Sequence, residues 1–465
     1  MTTRRDFMRL GALGLGAGLT WPAVAAASRR EAALLDDIQR RTFRFFWETT
    51  NPENGLARDR WPTPSFASMA AVGFALTALP IGVERRFVDR GAAAARVLAT
   101  LRFLDTAPQG DAPRGMTGHK GFFYHFVDMA RGARFGTTEL STVDTALLLG
   151  GILFCQGYFD RPDEREIGER AERIYARVDW RWAAPRPPVV ALGWNPESGF
   201  LPYDWRAYNE AMLVYVLALG ANEHALPPES WAAWSATLGQ HWGREFGQDH
   251  VRFPPMFGHQ YSHVWVDFRG IRDDFMRAKG TDYFENSRRA ALAQIAYAQA
   301  NPMGWRGYGR RLWGLSACDG PADTTRTIDG RARQFRTYAG RGVGGFDDGT
   351  IAPTAAGGSV PFAPELCIPA LAAMRADHGA YLYGDYGFFD ALNPSFAEGA
   401  GPVAQGRVVP GRGWYDTDYL GIDQGPILAM IENYRSGLVW RVMRGNPHIR
   451  RGLERAGFTG GWLGG

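Results

Sequence analysis

The chain has 465 residues, of which 52 are basic and 48 acidic, and the formal charge of +4 is spread along it rather than gathered into stripes, which gives no support to a nucleic-acid role. Its three cysteines, Cys155, Cys318 and Cys367, are isolated and form no C-x-x-C pair, so neither an essential disulfide nor a zinc site is expected. Aromatic residues make up 13% of the chain, with 16 Trp, more than packing alone usually recruits; such rings suit stacking on the apolar faces of sugars.

At the N-terminus, Arg4 and Arg5 precede the apolar, Gly-rich run Leu10 to Trp21 and the small residues Ala23 to Ala27. This is the pattern of a twin-arginine signal peptide over residues 1–27, cleaved near Ala25 to Ala27, and it predicts a periplasmic or secreted protein without a membrane anchor. The run falls short of the ~20 residues a spanning helix needs. Such a substrate folds in the reducing cytoplasm before export, which agrees with the lone cysteines. Residues 28–465 then read as one large domain, a size permissible for a barrel.

Apolar positions at helical spacing (Leu34, Leu35, Ile38, Phe43, Phe45, Phe46) predict a first helix over 31–50, stopped by Asn51-Pro52. Comparable stretches follow at 66–79, 86–104, 141–159, 163–178, 208–220, 229–246, 271–278, 283–300, 363–378 and 424–443. Short strands are expected only around 250–268 and 403–409. About twelve helices with no internal linker predict an all-α fold, with antiparallel pairs closing into an α/α barrel. The connections at 105–140, 186–207, 249–270, 302–362 and 380–423 are long and rich in Gly, aromatic and charged residues, and function is expected there.

Within these loops carboxylates draw attention. Glu139 stands two residues outside a helix start, where capping has no use for it. Asp144 has capping-box spacing from Ser141, which accounts for it structurally, with a substrate role as the alternative. Glu210, in Tyr208-Asn209-Glu210-Ala211, is expected in the first turn of a helix, where the dipole lowers its pKa and the apolar surface of Trp205, Tyr208 and Met212 raises it. His259 and His263 stand four apart, a spacing open to metal ligation, but no third ligand follows and no metal is expected. Asp423, before Gly425-Pro426, reads as an N-cap, whereas Asp390 has no helix to cap and is the better catalytic candidate. One protonated and one ionised carboxyl are what glycosidic cleavage requires. No G-x-S-x-G elbow, P-loop or dinucleotide fingerprint supports another chemistry.

The motifs GFFYHFVDM, ELSTVDTALLLGG, YNEAMLVYVLALG, HQYSHVWVDFRGIRDDF, DDGTIAPTAAGGSVPFAPE, YGFFDALNP and DQGPILAMIENYRSGLVW together resemble the glucoamylase-like family of bacterial β-1,2-glucanases, related to the transglycosylating domain of cyclic β-1,2-glucan synthases. The resemblance implies an (α/α)6 barrel that cuts β-1,2-glucan, endo-acting and inverting, with no cofactor. It points to Glu210 as general acid and to Asp390 as general base, with Glu139 as the rival. Tyr124, His125, Asp144, Trp194, Trp205, Tyr208, His259, Gln260, Tyr261, His263, Trp265, Arg269 and Trp414 are expected to bind substrate by stacking and hydrogen bonding. One departure concerns the loop after Gly220, where Ala221-Asn222-Glu223-His224 replaces the Gly-Ser-Pro-Thr common in the family and bears on chain-length preference. The competing readings are a non-catalytic periplasmic glucan-binding protein, an exo-acting or transglycosylating glucosidase on another glucan, and a lyase on the same fold.

Overall fold

Among the described residues six helices are enclosed by protein over most of their length, and six that bury one face stand between them in the sequence, with shorter helices such as Leu238–His241 and Asp274–Lys279 in the connections. The computed structural model describes residues 21–464 apart from 329, 398 and 400, and only the backbone over 21–28. Arg4, Arg5 and the apolar run up to residue 20 lie outside the described residues. The exposed-side helices are α1 (Trp21–Thr49), α3 (Arg90–Thr106), α5 (Arg165–Ala176), α7 (Glu229–Ser235), α9 (Tyr283–Ala300) and α11 (Pro364–Leu382). The enclosed ones are α2 (Met69–Glu84), α4 (Thr142–Tyr158), α6 (Met212–Gly220), α8 (Tyr261–Trp265), α10 (Pro353–Gly357) and α12 (Gly421–Arg435). Every residue of α6, α8 and α10 is buried, and α2 is buried without interruption from Met69 to Gly82.

Each enclosed helix touches its successor: α2 packs on α4, α4 on α6, α6 on α8, and α10 on α12, which returns to α2. The remaining step is a hydrogen bond, since Gln260, just before α8, donates Nε2–H to the Ala355 carbonyl of α10 at 2.9 Å. Helices α2 and α4 approach closely, Gly73 facing the backbone of Leu147 and Leu148 and Gly151 facing that of Gly73, so that a methyl on either would collide with main-chain atoms. Ser68 and Ser141 cap these two helices by accepting from the N–H groups of Ala71 and Asp144.

The structure differs from the sequence expectation in several elements. The stretch 229–246 is helical only to Ser235 and again over Leu238–His241, then forms a hairpin, Trp242–Glu245 with Gln248–Val251. The run 424–443 is two helices, α12 and Leu438–Arg444, parted at Gly437, whose φ of 67° is left-handed. Helices α8 and α10, five residues each, and Pro447–Arg455 were not expected. Short strands are far more numerous than predicted, all in the loops. The largest sheet joins Gly118–His119, Phe122–Tyr124, Leu140–Ser141, Gly193–Asn195 and Gly199–Phe200 in that order. No helix among the described residues is long and apolar enough to cross a membrane. Cys155, Cys318 and Cys367 are buried free thiols.

Candidate active site

The strand pairs place a set of carboxylates where the long loops converge. Tyr124 pairs with Leu140, which sets His125 beside Glu139: the His125 N–H donates to the Glu139 carbonyl at 2.9 Å, and the imidazole Nδ1 lies 2.9 Å from Glu139 Oε1. On its other side His125 Nε2 is 3.6 Å from Asp144 Oδ1. Burial acts against the imidazolium, but the charges of Asp144, Glu139 and Asp59 outweigh it and raise the pKa to about 9. Glu139 is in turn held below its usual value: burial opposes this, and the bond to His125 prevails. Asp144 sits at the third residue of α4 and accepts a short hydrogen bond from the Ser141 hydroxyl, so its capping geometry is present alongside its contact with His125.

Glu210 is not within the helical turn expected for it. The helix opens at Met212, and Glu210 precedes it in a turn whose carbonyl accepts from the Ser262 hydroxyl at 2.8 Å, while that hydroxyl accepts from Leu213 N–H. Its Oε2 is buried with no hydrogen-bond partner. Burial and then the charge of Asp144 push its pKa from 4.5 to about 7. A carboxyl in this state keeps its proton near neutrality, which is the requirement for a general acid.

A second group forms where Arg60–Trp61 pairs with Tyr419–Leu420, Ala317–Asp319 with Tyr338–Gly340, and Leu392–Asn393 with Gly413–Tyr415. Asp390 accepts the Asp319 N–H on Oδ2 at 2.7 Å, and its own N–H donates to the Asp418 carbonyl at 2.9 Å. Its Oδ1 is buried with no N–H or hydroxyl donor, as are Asp416 Oδ2 and both oxygens of Asp423, and the Asp390 and Asp423 carboxyls lie close enough to share a proton. Burial, then the charge of Asp319, raises Asp390 to about 7; burial, then Asp390, holds Asp423 well above the carboxylate range, and Asp416 is raised likewise by burial and Asp319. Arg60, which bridges Asp319 at 2.8 Å, supplies positive charge to this group. Asp319, Asp390 and Asp416 offer oxygens all within 4.8 Å of one another, a spacing a cation could bridge.

Tyr261 stands between the two groups. After burial, the charges of Asp423, Glu210 and Asp390 hold its phenol protonated. Tyr338, register partner of Asp319, is half exposed and lies within electrostatic reach of Asp423, Asp390 and Asp59.

Of the residues expected from sequence, the structure brings together Glu210, Asp390, Glu139, His125, Asp144 and Tyr261. Others are engaged with protein partners. Tyr208 lies stacked on Tyr283 with its hydroxyl 3.3 Å from Ser287. His259 bonds the Phe253 carbonyl, and His263 bonds Ser287 on α9; the two histidines occupy different helical segments and share no ligand site. Gln260 is consumed by α10, Trp265 donates to Thr77 against Phe74, and Trp414 is fully buried with its indole N–H on the Gln405 carbonyl. Tyr124 is buried under the Arg134 guanidinium. Arg269 is forked onto Asp267 above Trp440, among the C-terminal helices rather than the carboxylates. Trp194 lies face to face with His119, and Trp205 donates to Thr142 at the start of α4; both are half-buried. The loop after Gly220 is at the end of α6 remote from Glu210, against Arg451 and Asp179, so it does not border these groups.

Asp59, Arg60, Asp319, Tyr338, Asp416 and Asp418 were missed. Each lies in or beside a strand of two or three residues formed by distant partners, and no local periodicity marks them. Asp423, expected as an N-cap, is the third residue of α12 and caps nothing.

A family model described as "Glycoamylase: Putative glucoamylase" matches residues 202–447. The exo β-1,2-glucooligosaccharide sophorohydrolase (non-reducing end) of Parabacteroides distasonis is 28% identical over 456 residues, 91% of this chain and 57% of that protein, so the chain spans little more than half of that relative's length. A solved "putative glucoamylase" of Bacteroides uniformis has a TM-score of 0.79 at 29% identity, covering 93% of this chain and 98% of that one. The endo-β-1,2-glucanase of Chitinophaga pinensis, solved with sophorotriose and glucose, has a TM-score of 0.78 at 25% identity, covering 93% and 99%.

Proposed function

This chain belongs to the glucoamylase-like family, and from that premise we propose that it hydrolyses β-1,2-linked glucan at the carboxylates described above. The observation that carries the reading is Glu210: a buried, partnerless carboxyl oxygen whose pKa of about 7 lets it donate a proton to the departing glycosidic oxygen. Asp390 activates the attacking water, and Tyr261 lies between the two roles. The β-1,2 linkage is supported by the activities named for the Parabacteroides and Chitinophaga relatives. Alternation of enclosed and half-exposed helices supports the six-pair (α/α)6 barrel. Attack by water opposite the leaving group gives inversion, and the mode proposed is endo. Arg4-Arg5 and the apolar run behind them support export through the twin-arginine route to the periplasm or medium.

Glu139 offers a second reading of the base. Paired with His125, it is ionised well below neutrality and ready to act without losing a proton first. The deciding experiment is chromatography of products from wild type, Glu210→Gln, Asp390→Asn and Glu139→Gln on linear β-1,2-glucan and on starch. Wild type is expected to release a ladder of β-1,2 oligosaccharides and nothing from starch. A single disaccharide product would replace the endo mode with an exo one, and an active Glu210→Gln variant would remove the proposed acid.

A further inference from the structure

Asp390 is held at two points, and both supports lead to one cation. Asp319 gives its N–H to Asp390 Oδ2 at 2.7 Å, and Asp418 takes the Asp390 N–H on its carbonyl at 2.9 Å. The side chains of these same two residues turn to Arg60: Nη1 and Nη2 fork onto Asp319 at 2.8 and 3.4 Å, and Nη1 lies 3.8 Å from Asp418 Oδ2. The main chain of Arg60 is fixed as well, paired with Leu420 at the entrance to α12, and the N–H of Thr63 anchors Asp418 Oδ1 at 3.0 Å.

We propose that Arg60 is the positioning residue of the water-activating aspartate, clamping Asp319 and Asp418 so that the Asp319 N–H holds the Asp390 carboxylate and the Asp418 carbonyl holds the Asp390 main chain. The inference rests on the reading of Asp390 as base. Planar bidentate bonding to a carboxylate is what a guanidinium does and an ammonium does not. The charge matters as much as the fork. Asp390 is faced by Asp319 and by Asp416 and Asp423, with Asp59 and Asp418 beyond, and the phenols of Tyr261 and Tyr338 lie within electrostatic reach of it. Against these acids, Arg60 favours the ionised form of Asp390. Without Arg60, Asp390 would retain its proton to higher pH, and a base is useless while protonated.

The test is the pH dependence of kcat and kcat/KM on β-1,2-glucan for wild type, Arg60→Met, Arg60→Lys and Asp390→Asn, with circular dichroism to establish folding. Arg60→Met is expected to move the acid limb of kcat/KM to higher pH and to lower kcat at least tenfold, with a smaller change in KM. Arg60→Lys keeps the charge and loses the fork, so its acid limb should stay near wild type while kcat still falls; it serves alone if the Met variant does not fold. An unshifted limb and full kcat in Arg60→Met, or full kcat together with an unshifted limb in Arg60→Lys, would overturn the clamp while Asp390→Asn is inactive. An Asp390→Asn variant of wild-type rate overturns the base assignment itself, whatever Arg60 does.

Discussion

Replacing Glu210 with Gln should cost activity and repay part of it in alkaline stability, because the group proposed as acid is held in an environment hostile to its ionised form. In the unfolded chain its carboxyl loses its proton near pH 4.5; in the fold it keeps it to about 7. At ~1.4 kcal/mol per decade of acidity, that interval is worth about 3 kcal/mol. The sign follows from proton counting: between these two values the folded chain holds a proton that the unfolded chain has released, so wild type loses stability as pH rises through this window and levels off above about 7. Gln cannot ionise and escapes the loss. The stability difference between Glu210→Gln and wild type should therefore move in the variant's favour by about 3 kcal/mol between pH 4.5 and 8, whatever constant offset the amide itself introduces. Urea denaturation followed by tryptophan fluorescence at four or five pH values in this range would measure it. A difference that stays constant with pH would show that Glu210 titrates as an ordinary surface carboxyl, and the case for it as acid would go with it. Turnover of the same variant near neutrality should fall by about 10²–10⁴-fold, the usual contribution of a general acid.

Other perturbations separate packing from chemistry. Trp265→Phe, which deletes the indole bond to Thr77 in a fully buried site, should destabilise the fold by about 1–3 kcal/mol and leave KM unchanged; a raised KM at unaltered stability would restore Trp265 to the substrate site. Gly151→Ala sets a methyl against the Gly73 backbone and should cost about 1–3 kcal/mol in a thermal or urea titration, in contrast to Gly168→Ala, where space is open. Because Arg60 already provides a counter-charge to Asp319, hydrolysis should survive dialysis against EDTA; activity lost there and restored by calcium or magnesium would make Asp319, Asp390 and Asp416 a cation site.

The sequence was most readable where local rules act alone. Half-buried helices such as α5 and α9 carry a polar face and an apolar one, and their spans were close to those expected. Capping at Ser141 was legible for the same reason, since donor and acceptor lie three residues apart. Enclosed helices give a weaker signal: α8 and α10 have five residues each and no polar face, so no period could declare them. The same limit explains the aromatic and histidine assignments around α8. His263 and Trp265 looked like sugar-binding groups because polar atoms in a loop-rich region invite that reading, but their partners, Ser287 and Thr77, lie on other helices and are invisible locally. Asp423 was misjudged because Pro426 suggests a helix start, whereas α12 begins at Gly421, directly after the strand bond between Leu420 and Arg60. Arg60 itself had no signature, being one arginine among many until Asp319 and Asp418 arrive from elsewhere.

Glu210, Asp390 and the groups beside them come from segments scattered between Asp59 and Asp423, and this makes catalytic competence the last property such a chain can acquire. A nascent chain that has not yet added Tyr419–Leu420 and Gly421–Arg435 lacks both the strand partner of Arg60 and Asp423, two of the supports of the Asp390 environment. Turnover is thus a reporter of completed folding, silent in fragments and in partly assembled intermediates. A protein built this way can be synthesised alongside its own substrate and remain inert until its final quarter closes upon its first.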